Sequence, residues 1–285
     1  MIHTKHPKKL LDQYHLKPHK GLGQNFLSDD TVLAGIADAA GIPEHASVLE
    51  VGPGLGSLTG HLAERAERLV AVELDKDLVP VLRKEFAEHP NVEIVEGDIL
   101  QFAPDEYFAD GDYYVAANIP YYITSAVIRH LIEGKARPKR LALTVQKEVA
   151  ERICAVPGKL SLLALSVQVY GRADIPMIIP ASAFYPEPNV DSAVVRIELY
   201  DEPKIPADRM DDFFALAKAG FGQKRKTLRN SLSSNLHISW TEAESFLRSA
   251  GIDPMRRAET LTIDEWSGLL SEEGAMRGRA AAGLR

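Results

Sequence analysis

The chain has 285 residues, enough for one large domain and a small one. No apolar run is long enough to cross a membrane, and the polar, basic amino terminus lacks the apolar stretch and cleavage site of a secretory signal. The single cysteine, Cys154, cannot form an internal disulfide, which points to the cytoplasm and to a packing role for that thiol.

A net charge of −7 argues against nucleic acid as a partner, but its distribution argues the other way. Residues 1–20 carry five Lys against one Asp, and residues 224–229 carry Lys224, Arg225, Lys226 and Arg229 with no acid. Two basic zones on an acidic body suit local phosphate contacts, although either zone alone reads equally as a solvated tail or helix face.

After the basic tail, Gly21 to Leu27 is too glycine-rich for a helix and too apolar for a free linker, so a pinned loop is expected. Ser28-Asp29-Asp30 offers helix caps before Val32, Leu33, Ile36, Ala37 and Ala40, which share one helical face, and Gly41 can end the helix. Ser47–Val51 reads as a strand. Gly52-Pro53-Gly54-Leu55-Gly56 comes directly after it, and a helix begins near Ser57. Strand, glycine loop and helix let backbone approach a nucleotide-like ligand closely, because a side chain at Gly52, Gly54 or Gly56 would collide with it. The dinucleotide fingerprint is not matched, since Ser57 stands where its third glycine belongs.

Three further strands end in polar residues. Leu69–Leu74 carries Glu73, placed to accept from ribose hydroxyls, and Val92–Val95 leads to Asp98, placed to accept from an adenine amine. Tyr113–Ala117 leads to Asn118-Ile119-Pro120-Tyr121-Tyr122, and Thr124 looks like the cap of the next helix. An Asn before a Pro is ordinarily a turn. With an aromatic beside it, it is also what a pocket for a planar, amine-bearing base needs. Strands are expected at Arg140–Val145 and Ala193–Leu199, whereas Leu160–Tyr170 fits a core helix or a strand equally well. Phe184 to Ser192 is a proline-set loop able to hold the Phe184 ring in place, or simply to pack it in the core. A break near 201–206 separates a catalytic domain at 1–202 from a small all-α domain at 203–285. Met276 to Arg285 is expected to fray.

Gly23–Leu27, Glu50–Gly56, Glu73-Leu74-Asp75, Gly97-Asp98, Asn118–Tyr121 and Phe184-x-Pro-x-Pro-x-Val-x-Ser192 together resemble the ribosomal RNA adenine dimethyltransferase family, in the family's order. Phe221–Asn230 is similar to the helical domain of its small-subunit branch, while Pro157–Ser161 departs from the family's spacing and is assigned no role. The resemblance implies a Rossmann-like class I methyltransferase sheet of seven strands that binds S-adenosylmethionine. By matching position, Asn25 and Leu27 contact the cofactor from the amino-terminal loop, Gly52 its methionine end, Glu73 its ribose and Asp98 its adenine. Asn118 faces both cofactor and substrate.

The same resemblance implies N6,N6-dimethylation of two adjacent adenosines near the 3′ end of small-subunit ribosomal RNA, by a monomer acting on the immature subunit without a metal. Asn118 and the Ile119 carbonyl orient the target amine, Tyr121 and Phe184 clamp the base, and Lys224, Arg225, Lys226 and Arg229 hold RNA. The alternatives are an erythromycin-resistance type of large-subunit methylase, an assembly factor that binds without catalysing, and a small-molecule methyltransferase. The last leaves the basic helical segment unexplained.

Overall fold

Near-continuous apolar runs in the first two thirds of the chain are what strands buried on both faces require. The computed structural model describes residues 6–109 and 111–281, apart from the side chains of Lys20 and residues 273–281. In it these runs form β1 (Ser47–Val51), β2 (Arg68–Glu73), β3 (Val92–Glu96), β4 (Tyr113–Asn118) and β5 (Arg140–Gln146). Gly171–Ile179 and Ser192–Leu199 add β6 and β7. The strand order is β3-β2-β1-β4-β5-β7-β6, with β1 to β5 parallel and β7 antiparallel to β5. Because the chain runs outward from β1 through β2 to β3 and then returns to β4, the order reverses between β1 and β4. Their carboxyl ends flank the crevice where such sheets bind ligands.

Strand β6 is not announced by the sequence. Its exposure alternates along its length and it contains Pro176, which lacks the N–H that a ladder needs on both sides. Position reconciles the two facts, since β6 is an edge strand, where a proline is tolerated.

The amino-terminal segment also differs from the tail expected. Pro7–Gln13 forms helix α1, with Leu10 and Leu11 buried against Phe26, Leu55 and Leu78, while Lys8 and Lys9 stay exposed. Two leucines among lysines give too little periodicity to announce a helix, and tertiary burial supplies what the sequence lacks. Lys5 lies outside the described residues. Helix α2 (Asp30–Ala40) forms as expected: Asp29 accepts from the Thr31 and Val32 amides, and Gly41 closes it in the left-handed conformation at φ 54°. Thr124 is not a cap. It is the first residue of helix Thr124–Glu133, and its hydroxyl donates to the Tyr121 carbonyl at 3.1 Å.

The chain divides into two compact units, residues 1–154 with 172–199 and residues 155–171 with 200–285. The segment 155–171, grouped with the first domain on sequence, thus belongs with the helical part. Its undecided core is a helix, Leu162–Gln168, capped by Ser161. Backbone bonds from Gly158 to Glu259 (2.7 Å) and from Tyr200 to Tyr170 (2.9 Å) tie it to the later helices. Those are Met210–Phe221, Leu228–Leu236, Trp240–Ser249 and Ile263–Ala281. The helical face read from sequence is their core, with Phe213, Leu216, Leu232, Phe246 and Trp266 buried and Phe214 half-buried. The last helix continues through residues 276–281, where fraying was expected, and 282–285 lie outside the described residues.

Gly220 is the tightest point of this core: a Cβ there would meet Trp266 Cη2 at 2.5 Å and Leu228 Cδ1 at 3.1 Å. Helix propensity favours Ala over Gly by about 1 kcal/mol, but overpacking a rigid, fully buried indole costs about 1–3 kcal/mol. Sterics therefore win. Gly220→Ala is expected to lower stability by up to about 2 kcal/mol in denaturant melts, against the propensity scale.

Candidate active site

The carboxyl ends of β1 to β4 open into a cavity of about 1020 Å³, part of it continuous with solvent. Asn25, Leu27, Gly52, Gly54, Glu73, Asp98, Asn118, Ile119 and Tyr121 all line it, whereas Gly56 and Phe184 do not.

The three loop glycines are needed for different reasons. All have positive φ (65°, 61° and 83° for Gly52, Gly54 and Gly56), so any side chain there is strained. At Gly52 a Cβ would meet nothing within 4 Å, so it would project into space open to a ligand. At Gly54 it would press on the Phe26 ring at 3.1 Å, and at Gly56 on Phe86 at 2.5 Å. At Gly52 the open space suits the expected close approach of a ligand; Gly56 makes room for Phe86, and Gly54 both lines the cavity and sits against Phe26.

Glu73, at the end of β2, is almost fully buried and accepts from the Gly54 amide at 2.9 Å and the Asp75 amide at 2.8 Å. Burial raises its pKa, and the two amides pull against that shift. Each oxygen retains a lone pair for a ligand hydroxyl. Asp98 uses Oδ1 to accept from the Leu100 amide at 2.9 Å, which leaves Oδ2 without a protein donor among the described residues.

Asn118 ends β4. Its Nδ2 donates to the Asn25 carbonyl at 2.9 Å, and since only the amide nitrogen can donate, Oδ1 is left as an acceptor. Asn25 folds its own amide onto the Gly23 carbonyl at 3.1 Å. The pinned loop is real, and Gln24 is the pin: it accepts from the His19 amide at 2.7 Å and donates to Asp75 Oδ2 at 2.6 Å.

Tyr121 is half-buried and its hydroxyl pairs with the Ser192 hydroxyl at 2.8 Å, while the Tyr122 ring stands 63% exposed at the rim. Phe184 is 4% exposed and packs in a core cluster with Leu27, Leu33 and Ile179. It pairs in register with Leu27 in a two-stranded antiparallel ribbon. An apolar ring beside that core gains more from burial than from facing a polar cavity, so the expected base clamp has only its Tyr121 side on the cavity wall.

Glu50, in β1, opens the glycine motif read from the sequence but was given no role there. It lines the cavity at 1% exposure, its Oε2 has no hydrogen-bond partner, and burial pushes its pKa up to about 8. Its signal was a charged residue inside an otherwise apolar strand. Cys154 is a thiol whose pKa burial raises to about 11, consistent with a packing role.

In the helical unit Lys224, Arg225 and Lys226 are exposed on a turn and have no side-chain partner among the described residues. Arg229 differs: it pairs with Glu244 at 2.7 Å and lies over the Trp240 ring at 3.5 Å. Its charge is already matched, so of the four cations read as RNA contacts, three are free.

A parallel sheet with one antiparallel strand, a glycine loop and acids at successive strand ends define a Rossmann-like S-adenosylmethionine-dependent methyltransferase. The chain matches the ribosomal RNA adenine dimethylase family over residues 15–272 and belongs to that family. It is 46% identical over 266 residues to a ribosomal RNA small subunit methyltransferase A of Dehalococcoides mccartyi, covering 93% of this chain and 91% of that one. Among solved structures it is similar to the 23S rRNA methyltransferase ErmE (TM-score 0.72, 27% identity, 87% of this chain and 99% of that one). A dimethyladenosine transferase from Plasmodium falciparum shares the fold (TM-score 0.76, 24% identity, 88% and 98% covered).

The state of Glu50 sets a pH dependence. Its folded pKa, about 8, lies above its ordinary 4.5, so between these values the folded ligand-free protein holds a proton that the unfolded chain has lost. Stability is therefore expected to fall as pH rises through that interval and to level off above it. Glu50→Gln keeps the shape without the charge, and thermal melts across the interval should show a flatter profile for it.

Proposed function

We propose that this chain transfers methyl groups from S-adenosylmethionine to the N6 amine of adenosines in small-subunit ribosomal RNA, giving N6,N6-dimethyladenosine during assembly of the subunit. The observation that carries the mechanism is the Asn118 amide, held by the Asn25 carbonyl with its oxygen left as acceptor beside the glycine loop.

The residues present fit the cofactor. Gly52 leaves open space, Glu73 and Asp98 retain free acceptor positions, and Glu50 lies in the cavity lining. When bound, S-adenosylmethionine supplies a methyl group already activated by its sulfonium. Adenine's amine is a poor nucleophile because its lone pair is delocalised into the ring. Accepting hydrogen bonds from that amine, Asn118 Oδ1 and the Ile119 carbonyl favour a pyramidal nitrogen with its lone pair aimed at the methyl carbon. As the nitrogen–carbon bond forms, the carbon–sulfur bond would break and the sulfur become a neutral thioether; the amine's surplus proton then passes to water, so an ionised base is not needed beforehand. Alignment then provides most of the acceleration, and positioning of this kind is worth roughly 7–11 kcal/mol.

Tyr121 offers a ring for the flipped base, at about 1–3 kcal/mol per stacked base, and its bond to Ser192 fixes that ring. Phe184 supports the wall from behind through Leu27. A second methylation needs the monomethylated amine to rebind in the same pocket. We assign the free cations Lys224, Arg225 and Lys226 to RNA phosphates, and read the acting species as a monomer on the immature subunit in the cytoplasm. The likeness to the 23S enzyme makes free large-subunit RNA the control substrate. The 46% identity to a small-subunit methyltransferase favours small-subunit particles.

Asn118→Ala should slow single-turnover transfer by roughly 10²–10³ at matched RNA occupancy while leaving the thermal melt nearly unchanged. Asn118→Asp should fare no better, because a carboxylate would face the Asn25 carbonyl with no proton to donate. Near-normal turnover in the Ala variant would reduce Asn118 to a turn residue.

Replacing Lys224, Arg225 and Lys226 together with Ala should make the salt dependence of RNA binding shallower by about 2–3 in log–log slope, at 0.7–0.9 per contact. Arg229→Ala should instead lower stability with little change in slope.

A further inference from the structure

The helical unit carries a surface feature that methyl transfer does not use. Trp240, first residue of the helix Trp240–Ser249, is 52% exposed, whereas the chain's other tryptophan, Trp266, is fully buried. An exposed aromatic alone says little, but this one is held on two sides. Its Nε1 donates to Asn230 Oδ1 at 3.1 Å, and the Arg229 guanidinium carbon sits 3.5 Å from the ring centroid. Arg229 is itself fixed by Glu244 at 2.7 Å, and its Nη2 reaches the sulfur of Met255, another exposed side chain, at 3.5 Å. The indole is thus set in orientation with one face on a cation, and about half its surface remains open.

Its surroundings are basic. Lys224, Arg225 and Lys226 immediately precede the helix whose first turn holds Arg229 and Asn230. Arg257, exposed and without a side-chain partner among the described residues, stands two positions after Met255. Backbone bonds from Leu228 to Arg256 (2.7 Å) and from Arg229 to Pro254 (3.4 Å) join that loop to the same helix end. Of the acids on these segments, Glu244 is paired with Arg229 and Arg248, Glu242 sits in the Ser239 capping box, and Asp253 accepts from the Met255 amide. A rigid aromatic face bordered by free cations matches a nucleobase with its flanking phosphates. An acidic peptide would use the cations but offers nothing flat for the ring.

We propose that Trp240 is a stacking platform for an unpaired nucleobase of the RNA, a binding site distinct from the cavity at Asn118. This rests on the RNA-methyltransferase reading above. Because Trp266 is buried, Trp240 is the solvent-facing tryptophan of the intact protein, and excited at wavelengths beyond the tyrosine band it reports on its own occupancy. Titration with single-stranded oligoadenylate at low salt should quench its emission and shield it from acrylamide, while a blunt RNA duplex of equal length should not. Trp240→Leu keeps apolar bulk without the π face, so it should weaken oligoadenylate binding roughly 5- to 100-fold, with Trp240→Phe recovering part of the loss.

Unchanged emission on saturation, or parental affinity in Trp240→Leu, would overturn the platform. So would equal quenching by polyglutamate, which would make the partner an acidic polypeptide. Methyl transfer by the unmodified protein to small-subunit particles, measured alongside, tests the underlying reading separately. Its absence would sink that reading whatever Trp240 does, and its presence without quenching would sink the platform alone.

Discussion

The buried Glu73 carboxylate is the interaction on which the rest of the site depends. It joins the Gly54 amide of the loop after β1 to the Asp75 amide after β2, so two strand ends are held by one side chain. Burying a carboxylate is costly, and two backbone donors offset part of that cost. From Asp75 the chain of hydrogen bonds continues through Gln24 to the His19 amide, which brings the amino-terminal loop onto the cavity. That loop supplies the Asn25 carbonyl that orients Asn118. The residue proposed to accept from the cofactor is thus also a structural bridge, and loss of Glu73 would loosen the loop in addition to any effect on the ligand.

Asn118 shows how an ordinary turn residue becomes specific. In isolation its amide could lie either way round, and an amide nitrogen aimed at the target amine would set donor against donor. The Asn25 carbonyl removes that choice by engaging the nitrogen. In the proposed reaction nothing ionised is required, which suits transfer from an activated sulfonium to a weakly basic amine.

Charge is divided between the two units in keeping with their tasks. The sheet unit gathers the acids Glu50, Glu73 and Asp98 around its cavity, with Glu50 protonated at neutral pH in the ligand-free protein. The helical unit leaves Lys224, Arg225 and Lys226 unmatched on a turn but neutralises Arg229 with Glu244. A cation that is paired and stacked serves packing first, so the number of basic residues in a segment overstates its phosphate contacts.

Sequence alone determined the elements whose local chemistry is self-sufficient. Apolar runs specified β1 to β5, Asp29 and Gly41 specified the ends of α2, and the strand-terminal polar residues Glu73, Asp98 and Asn118 fall at one edge of the sheet around a single cavity. Tertiary structure decided whatever depended on a partner distant in sequence. Edge placement made a strand of a segment containing Pro176, and burial made a helix of Leu10 and Leu11. Trp266 made Gly220 obligatory and Phe86 did the same for Gly56, while Phe26 presses on Gly54 at the cavity wall. Phe184 went to the core and Glu50 was left with an unpartnered oxygen for the same reason: local pattern states which residues can be buried, but only the packed fold states what each one meets there.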